Sequence, residues 1–197
     1  MDPSRNEIAV FGGAFDPLHD GHRHIIRWLA DHRWRVWIVP TMHPRHKPAG
    51  HQAGFGERAS ALHDYATGLA AEIRARIRIL DTERQYPDIA GRSGVLIEVL
   101  DKTEGPHHWH LVVGADEWCS LDQWVQIDQW FTRVSWIVFP RTSPWIGTAP
   151  PMPACAQRID YRNHTDSECT TLRSSEHALI FVHAPLVNEC STNLRHP

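Results

Sequence analysis

The feature that most constrains the fold is the stretch IAVFGGAFDPLHDGHRHII, residues 8–26, which joins a strand to a helix through a glycine-containing turn. Residues 8–11 predict a short buried strand. Gly12–Gly13 end it with residues that tolerate positive φ and let a ligand approach the backbone closely. After an Asp-Pro turn, apolar residues recur at helical spacing, with Asp20 as the predicted N-cap of a helix that begins near Gly21. The stretch therefore predicts a helix start directly after the carboxyl end of a strand.

Two histidines lie at this predicted helix start. His22 falls in the first turn and His19 just before it, and residues three apart at a helix start face the same side. Both rings are therefore expected to point into one space, where the end of a strand and the positive end of a helix commonly bind phosphate. Because the chain has 15 histidines, a purely structural pair is the alternative.

Strand and helix patterns alternate along the rest of the chain, which predicts a parallel α/β sheet with helices on both faces. Further strands are predicted at 35–40, 75–80, 108–115, 134–140 and 177–184, and further helices at 57–70 and 93–102. A segment rich in Pro, Ser and Thr, 142–176, predicts a long loop or flap. With 197 residues, the chain 1–197 is expected to form a single domain.

Composition argues against several classes of protein. The net charge of −3 and the lack of long Lys/Arg runs argue against a nucleic-acid partner. No apolar run approaches the ~20 residues of a membrane span, and the first residues lack the apolar core of a signal peptide. We therefore expect a cytoplasmic protein with no membrane partner. The four cysteines lack zinc-like spacing and are expected to be free thiols.

The string GGAFDPLHDGH resembles the GGTFDPxHxGH signature of the nucleotidylyltransferase superfamily. Three later segments resemble motifs of the bacterial nicotinate-mononucleotide adenylyltransferases, in the same order: VPTMHPRHKP (39–48) is similar to their PPHK segment, VVGADEWCSLDQW (112–124) to IGADxxxxxxxW, and ECSTNLR (189–195) to ISSTxIR. The resemblance implies a Rossmann-like nucleotidylyltransferase fold. It also implies adenylyl transfer from ATP to nicotinate mononucleotide, which forms nicotinate adenine dinucleotide and pyrophosphate in NAD biosynthesis.

Adenylyl transfer needs aligned donors to the phosphates more than it needs a protein nucleophile. His19 and His22 are therefore assigned as the catalytic residues, which donate ring N–H bonds to phosphate oxygens. No general base is required, because the attacking phosphate is already ionised. Mg²⁺ is expected with the ATP, and no residue is assigned as a metal ligand. The resemblance extends the predicted ATP-binding set to Gly12, Gly13, Ala14, Phe15, His19, Gly21, His22, Gly114, Asp116, Ser191, Thr192 and Arg195.

The resemblance also implies a mononucleotide-binding set. Trp124 matches a family tryptophan that stacks on the pyridine ring, and Lys47 can reach the mononucleotide phosphate. The predicted set is Asp16, His46, Lys47, Arg58, Val95, Leu96 and Trp124. Other interpretations stay open for several residues: Arg58 as a surface residue, Asp116 as a helix N-cap, Trp124 as core packing among nine tryptophans, residues 45–47 as a solvated loop, and residues 190–195 as a capped turn.

The sequence departs from the family pattern at a few positions. Ala14 stands where the family has Thr or Ser, and Val95 where it has a Thr near the pyridine carboxylate. The chain ends two residues after Arg195, so we expect the end of that helix to fray. The alternatives are transfer to another phosphorylated acceptor such as nicotinamide mononucleotide, and a nucleotide-binding paralogue without turnover. ATP and a pyridine mononucleotide are the expected partners, and the oligomeric state is left open, with a homodimer as one option.

Overall fold

The computed structural model of the protein describes residues 7–42, 53–89, 93–105, 107–124, 127–131, 133–140 and 179–182. Within them, strands lie at Glu7–Gly13 (β1), Arg35–Pro40 (β2), Ile77–Ile79 (β3), His108–Gly114 (β4), Ser135–Phe139 (β5) and Leu179–Phe181 (β6). The α-helices lie at Asp20–Asp31 (α1), Phe55–Thr67 (α2), Ala71–Arg74 (α3), Thr82–Gln85 (α4), Ser93–Glu104 (α5), Ala115–Cys119 (α6) and Ile127–Trp130 (α7). Single 3₁₀ turns lie at Pro87–Ile89 and Leu121–Gln123.

The strands form a six-stranded sheet in the order β3-β2-β1-β4-β5-β6. The pairs β2–β3, β4–β5 and β5–β6 are parallel, with Val36 opposite Ile77, Leu111 opposite Trp136, and Trp136 opposite Leu179. This is the strand order of the doubly wound α/β fold, in which ligands bind outside the carboxyl ends of the strands. The predicted Rossmann-like parallel α/β sheet is thereby confirmed.

The chain divides into two compact units, and among the described residues the division falls within β1, after Ala9, and within α5, after Val99. Of the described residues, 7–9 and 100–182 belong to the first unit, and 10–99 belong to the second. The first unit therefore holds β4, β5 and β6 with α6 and α7. The second holds β2 and β3 with α1 to α4, and also the residues that follow Ala9 in β1.

In the second unit, the core lies between the apolar faces of the helices and buried strand residues. All residues of β2 after Arg35 are buried, as a parallel strand covered on both faces requires. Helix α1 buries Ile26, Trp28, Leu29 and Ala30. Full burial of a side chain such as Leu29 contributes about 1.5–3 kcal/mol. Helix α1 is therefore anchored by its apolar face, which matters because the two histidines lie at its start.

In the first unit, the apolar runs of β4 and β5 are buried almost without interruption. The ring of Trp136 on β5 packs against the rings of Trp118, at 5.9 Å, and Phe131, at 5.3 Å between centroids. Polar side chains are also buried in this unit, since His110 on β4 is hydrogen-bonded through Nε2 to the Glu7 carboxylate. The hydrogen bond between them explains how a Glu and a His are tolerated in strands that are otherwise apolar.

Helix α2 runs from Phe55 to Thr67, whereas the sequence predicted 57–70. It begins earlier because the Glu57 carboxylate accepts a hydrogen bond from the Gly54 N–H at 2.8 Å, and it ends at Thr67, before the C-cap Gly68. Strand β3 is shorter than the predicted 75–80, and β6 is shorter than the predicted 177–184. The sequence predicted neither α3 nor α4.

Some predictions fall on residues that are not described. These are the flap at 142–176, the helix at 190–195 and three of the four cysteines; the fourth, Cys119, is a free and exposed thiol. None of the helices in the described part of the chain has the length and apolar character needed to span a bilayer.

Candidate active site

The turn after β1 has an unusual backbone at Phe15. Both glycines, Gly12 and Gly13, belong to β1, and the residue with a left-handed backbone is Phe15, at φ 49°. The prediction that the two glycines end the strand is therefore wrong, because β1 continues through Gly13. A non-glycine residue in this region costs of order 1–3 kcal/mol and persists only where its surroundings enforce it. Here the Phe15 ring is 1% exposed and packs edge-on against Phe11 and His22, at 5.3 and 4.9 Å.

The packing of Phe15 explains why Gly13 has no side chain. A Cβ at Gly13 would lie 3.3 Å from the Phe15 ring, which is closer than ordinary van der Waals contact. At Gly12 the nearest atom to such a Cβ is the Val39 carbonyl oxygen, at 3.9 Å. A side chain would therefore crowd the buried Phe15 ring at Gly13 but not at Gly12.

Helix α1 is capped by a histidine, and the prediction of Asp20 as N-cap is wrong. The N-cap is His19, whose Nδ1 accepts a hydrogen bond from the Gly21 N–H at 3.1 Å. In return, the His19 N–H donates to Nδ1 of His22 at 3.5 Å, which completes a reciprocal capping box. Asp20 is the first residue of the helix, and its carboxylate accepts a hydrogen bond from Arg23 at 2.8 Å. The two histidines are thus part of the helix start itself.

These hydrogen bonds fix the tautomer of both rings. A ring nitrogen that accepts a hydrogen bond carries no proton, and a neutral imidazole carries its one proton on the other nitrogen. His19 and His22 both accept at Nδ1, so the proton of each neutral ring is assigned to Nε2, the nitrogen that can donate. The ring centroids are 3.8 Å apart at an interplanar angle of 31°, which places the rings side by side as predicted.

Arg58 lies in the same unit and is 3% exposed, so its interpretation as a surface residue is excluded. Its Nη1 donates to the Ala14 carbonyl oxygen at 2.6 Å, and its Nε donates to the Ala53 carbonyl oxygen at 3.1 Å. Burial lowers the pKa of the Arg58 guanidinium, and the nearby carboxylates of Asp16 and Glu83 partly offset that shift. Asp16 is itself buried. The substrate contact predicted for Arg58 stays a prediction, because the contacts observed are with the turn after β1.

The sequence did not predict a role for Glu83, a buried carboxylate in α4 that is 7% exposed. Its Oε2 accepts hydrogen bonds from the Thr41 hydroxyl at 2.7 Å and from the Met42 N–H at 2.6 Å. Thr41 and Met42 follow directly after β2, so Glu83 holds the backbone where that strand ends. No local motif marks Glu83, because its partners lie more than 40 positions earlier in the chain.

Three predicted site residues lie in the first unit, where β4 ends. Gly114 is the N-cap of α6 and Asp116 is an exposed residue of that helix, so the interpretation of Asp116 as N-cap is wrong. A Cβ at Gly114 would lie 2.7 Å from an Asp116 carboxylate oxygen, which shows that this side chain folds back over the glycine. Trp124 is half-buried, with its ring 6.2 Å from that of Trp136 and inclined at 60°. Part of Trp124 therefore packs against the core and part is exposed.

The remaining predicted residues are described incompletely or not at all. Leu96 is buried in α5, and the backbone of Val95 lies in the same helix, but the Val95 side chain lies outside the description. Outside the described residues are His46, Lys47, Ser191, Thr192 and Arg195. Within the described residues, no group of three or more His, Cys, Asp or Glu side chains is arranged to hold a metal ion.

The sheet order and the capped start of α1 define a doubly wound α/β protein whose first helix can bind an anion. The chain belongs to the cytidylyltransferase-like family, whose model it matches over residues 10–194.

Sequence relatives carry a more specific name. A protein of Gloeobacter violaceus named "Probable nicotinate-nucleotide adenylyltransferase" is 28% identical over 136 residues, which are 68% of this chain and 63% of that protein. A protein of Nostoc sp. with the same name is 29% identical over 142 residues, which are 68% of this chain and 61% of that protein. The chain therefore matches less than two thirds of the length of these relatives.

Solved structures show the same fold. The Plasmodium falciparum nicotinic acid mononucleotide adenylyltransferase complexed with NaAD superposes with a TM-score of 0.67 at 16% identity, covering 96% of this chain and 82% of that chain. The same protein complexed with APC gives a TM-score of 0.66 at 15% identity over the same shares of both chains. At such identities the likeness establishes the nucleotidylyltransferase fold alone.

Proposed function

We propose that the protein is a nucleotidyltransferase that transfers the adenylyl group of ATP to nicotinate mononucleotide. The products are nicotinate adenine dinucleotide, a precursor of NAD, and pyrophosphate. The observation that carries the proposal is the pair His19 and His22, whose Nδ1 atoms are both engaged in capping α1, so that both rings present a proton on Nε2. The names of the sequence relatives support the choice of acceptor.

In this mechanism, the mononucleotide phosphate attacks the α-phosphorus of ATP and pyrophosphate leaves. The attacking oxygen is already ionised, so neither histidine acts as a base. Instead, Nε2–H of His19 and of His22 donate to phosphate oxygens, where negative charge develops in the transition state. The first N–H groups of α1 and the positive end of its dipole add to this stabilisation. Because capping fixes the two rings before substrate binds, little reorganisation is needed during the reaction.

The proposal assigns the other predicted residues to two groups. The proposed ATP-binding residues beside the two histidines are Gly12, Gly13, Ala14, Phe15, Gly21, Gly114, Asp116, Ser191, Thr192 and Arg195. The proposed mononucleotide-binding residues are Asp16, His46, Lys47, Val95, Leu96 and Trp124; the sequence also predicted Arg58 in this set, and its observed contacts give it a different role below. Mg²⁺ would enter with ATP, held by phosphate oxygens and water, a mode that requires no cage of protein ligands. When bound, it would supply charge neutralisation on the triphosphate.

A cytoplasmic location is part of the proposal. The exposed free thiol of Cys119 fits a reducing compartment, and ATP is available there.

The second candidate function is the same transfer to nicotinamide mononucleotide. It is favoured by Val95, which stands where the family has a Thr near the pyridine carboxylate and offers no side-chain donor. Backbone N–H groups at the start of α5 can still bind a carboxylate, with help from the helix dipole. We therefore expect a preference for nicotinate that is weaker than a side-chain donor would give, and a larger preference in Val95→Thr.

The test is to incubate the protein with ATP, Mg²⁺ and each acceptor separately, and to measure pyrophosphate release and dinucleotide formation. The proposal expects both products with nicotinate mononucleotide, at a higher kcat/KM than with nicotinamide mononucleotide. Equal values for the two acceptors, or a higher value for the amide, would refute the choice of substrate and leave adenylyl transfer standing. No pyrophosphate with any acceptor, together with tight ATP binding, would identify a paralogue without turnover.

A further inference from the structure

Two consecutive carbonyl groups at the end of β1, on the last strand residue and on the first residue of the turn, accept hydrogen bonds from residues further along the chain. The Gly13 carbonyl accepts from the Thr41 N–H at 2.8 Å, and the Ala14 carbonyl accepts from Arg58 Nη1 at 2.6 Å. In a trans peptide, the C=O and the following N–H lie in one plane and point in opposite directions. A bond to the Ala14 carbonyl therefore also sets the direction of the Phe15 N–H, and a bond to the Gly13 carbonyl sets that of the Ala14 N–H.

Both donors are held in place by further contacts. The Arg58 guanidinium also donates to the Ala53 carbonyl oxygen at 3.1 Å and lies 5.6 Å from the centre of the Phe55 ring. The Thr41 hydroxyl donates to Glu83 at 2.7 Å. The turn is thus supported from two sides, by Arg58 of α2 directly and by Glu83 of α4 through Thr41.

The two supporting side chains are buried and oppositely charged. A buried charge is costly unless hydrogen bonds or an opposite charge compensate it. Here the buried carboxylates of Asp16 and Glu83 favour the charged form of the Arg58 guanidinium. Arg58 and Glu83 also both form hydrogen bonds with backbone groups. The turn also needs this support, because Phe15, at φ 49°, has a backbone conformation that is unfavourable for any residue other than glycine.

We infer that Arg58 and Glu83 are positioning residues, which hold the 13–15 turn in the shape required for phosphate transfer and touch neither substrate. This inference rests on the proposed function and differs from the contact with the mononucleotide predicted for Arg58. If the inference is correct, a looser turn lowers kcat, because the reacting phosphates are no longer aligned. The affinity for each substrate is largely kept.

The test uses conservative variants, because removal of a buried charge can prevent folding. Arg58→Lys keeps the positive charge and loses the planar fork that reaches two carbonyls. Thr41→Val keeps the N–H to Gly13 and loses the hydroxyl bond to Glu83, whereas Thr41→Ser restores that bond. The control is Arg74→Lys, at an exposed position of α3 in the same unit.

We expect Arg58→Lys and Thr41→Val to lower kcat on the order of ten- to a hundred-fold. KM for ATP and KM for the mononucleotide should each stay within about threefold of wild type, and Thr41→Ser should recover most of the loss. The double variant Arg58→Lys/Thr41→Val should lose less than the product of the single losses, because both act on one turn.

Two results would overturn the inference. A selective rise in KM for the mononucleotide in Arg58→Lys would mean that Arg58 contacts this substrate. Unchanged kcat in both variants, measured at equal folded fraction by circular dichroism, would mean that the contacts serve only stability. The wild type and Arg74→Lys, assayed in parallel, test the proposed function separately, since it fails if these two release no pyrophosphate.

Discussion

Replacement of His22 by Asn separates the capping role that this side chain has in the structure from the catalytic role proposed for it. The Asn amide oxygen occupies the place of Nδ1 and can accept the hydrogen bond from the His19 N–H, but Asn has no atom in the place of Nε2. His22→Gln is the complementary change, because its amide nitrogen reaches about as far as Nε2 while its capping atom is lost. A comparison of the two variants therefore distinguishes capping of α1 from donation to phosphate.

The expected magnitudes follow from the contacts. Loss of one preorganised donor to a transition-state phosphate costs about 3–4 kcal/mol, or roughly a hundred- to thousand-fold in kcat. Loss of the edge contact between His22 and Phe15, whose centroids are 4.9 Å apart, costs about 0.5–1.5 kcal/mol of stability. The capping bond that His22 accepts is long, at 3.5 Å, so its loss in His22→Gln should cost no more than about 1 kcal/mol.

The assay measures kcat from pyrophosphate release at saturating ATP and nicotinate mononucleotide, and the free energy of unfolding from urea titration followed by tryptophan fluorescence. His63→Asn, at an exposed position of α2, is the control. We expect His22→Asn to be folded and nearly inactive, and His22→Gln to retain more activity. If His22→Asn turns over within a few-fold of wild type, donation from Nε2 has no part in the reaction.

Three further changes test the packing and the titration of the site. Gly13→Ala brings a Cβ to 3.3 Å from the buried Phe15 ring and should cost about 1–3 kcal/mol in urea unfolding, whereas Gly12→Ala should cost nothing. Trp124→Ala should raise KM for the mononucleotide more than KM for ATP, and equal effects would identify Trp124 as core. Burial lowers the pKa of His24 below 6.5, so the unfolded chain binds a proton at this residue more readily than the folded chain does. The stability that neutral His24 contributes is therefore complete above that pH and lost as the pH falls. His24→Gln should reduce the decrease in the free energy of unfolding that is measured between about pH 8 and about pH 5.5.

Strands β2, β4 and β5 could be predicted because they are buried along nearly their whole length. Strand β2 was predicted at its observed bounds, Arg35–Pro40, since a continuous apolar run between polar flanks has one interpretation in an α/β chain. Strands β4 and β5 were predicted within one residue at each end for the same reason. Helices α3 and α4 are only one turn long and carry too little apolar periodicity to be recognised in the sequence.

The supporting contacts of the site could not be predicted, because they join residues far apart in the chain. Arg58 meets Ala14 across 44 positions, and Glu83 meets Thr41 across 42. A charged residue on a helix is ordinarily exposed, so the sequence alone favoured a surface or substrate-facing position for Arg58. Only the folded chain shows that the Arg58 guanidinium donates hydrogen bonds to backbone carbonyls. The error at the N-cap has a different cause, because Asp is a strong capping residue and lies beside a weaker one.

The choice of His19 over Asp20 as the N-cap has a physical reason if the helix start binds phosphate. An Asp cap would satisfy the same N–H groups, but it would place a full negative charge at the point where a phosphate must approach. A neutral imidazole accepts through Nδ1 and presents a proton at Nε2, so it satisfies the helix and adds a donor for the anion. Asp20, one residue further on, has its carboxylate bound to Arg23 at the exposed surface. In the proposed mechanism, the hydrogen bonds that begin α1 thus also determine which histidine atoms donate to a substrate, and stability and chemistry would depend on the same two side chains.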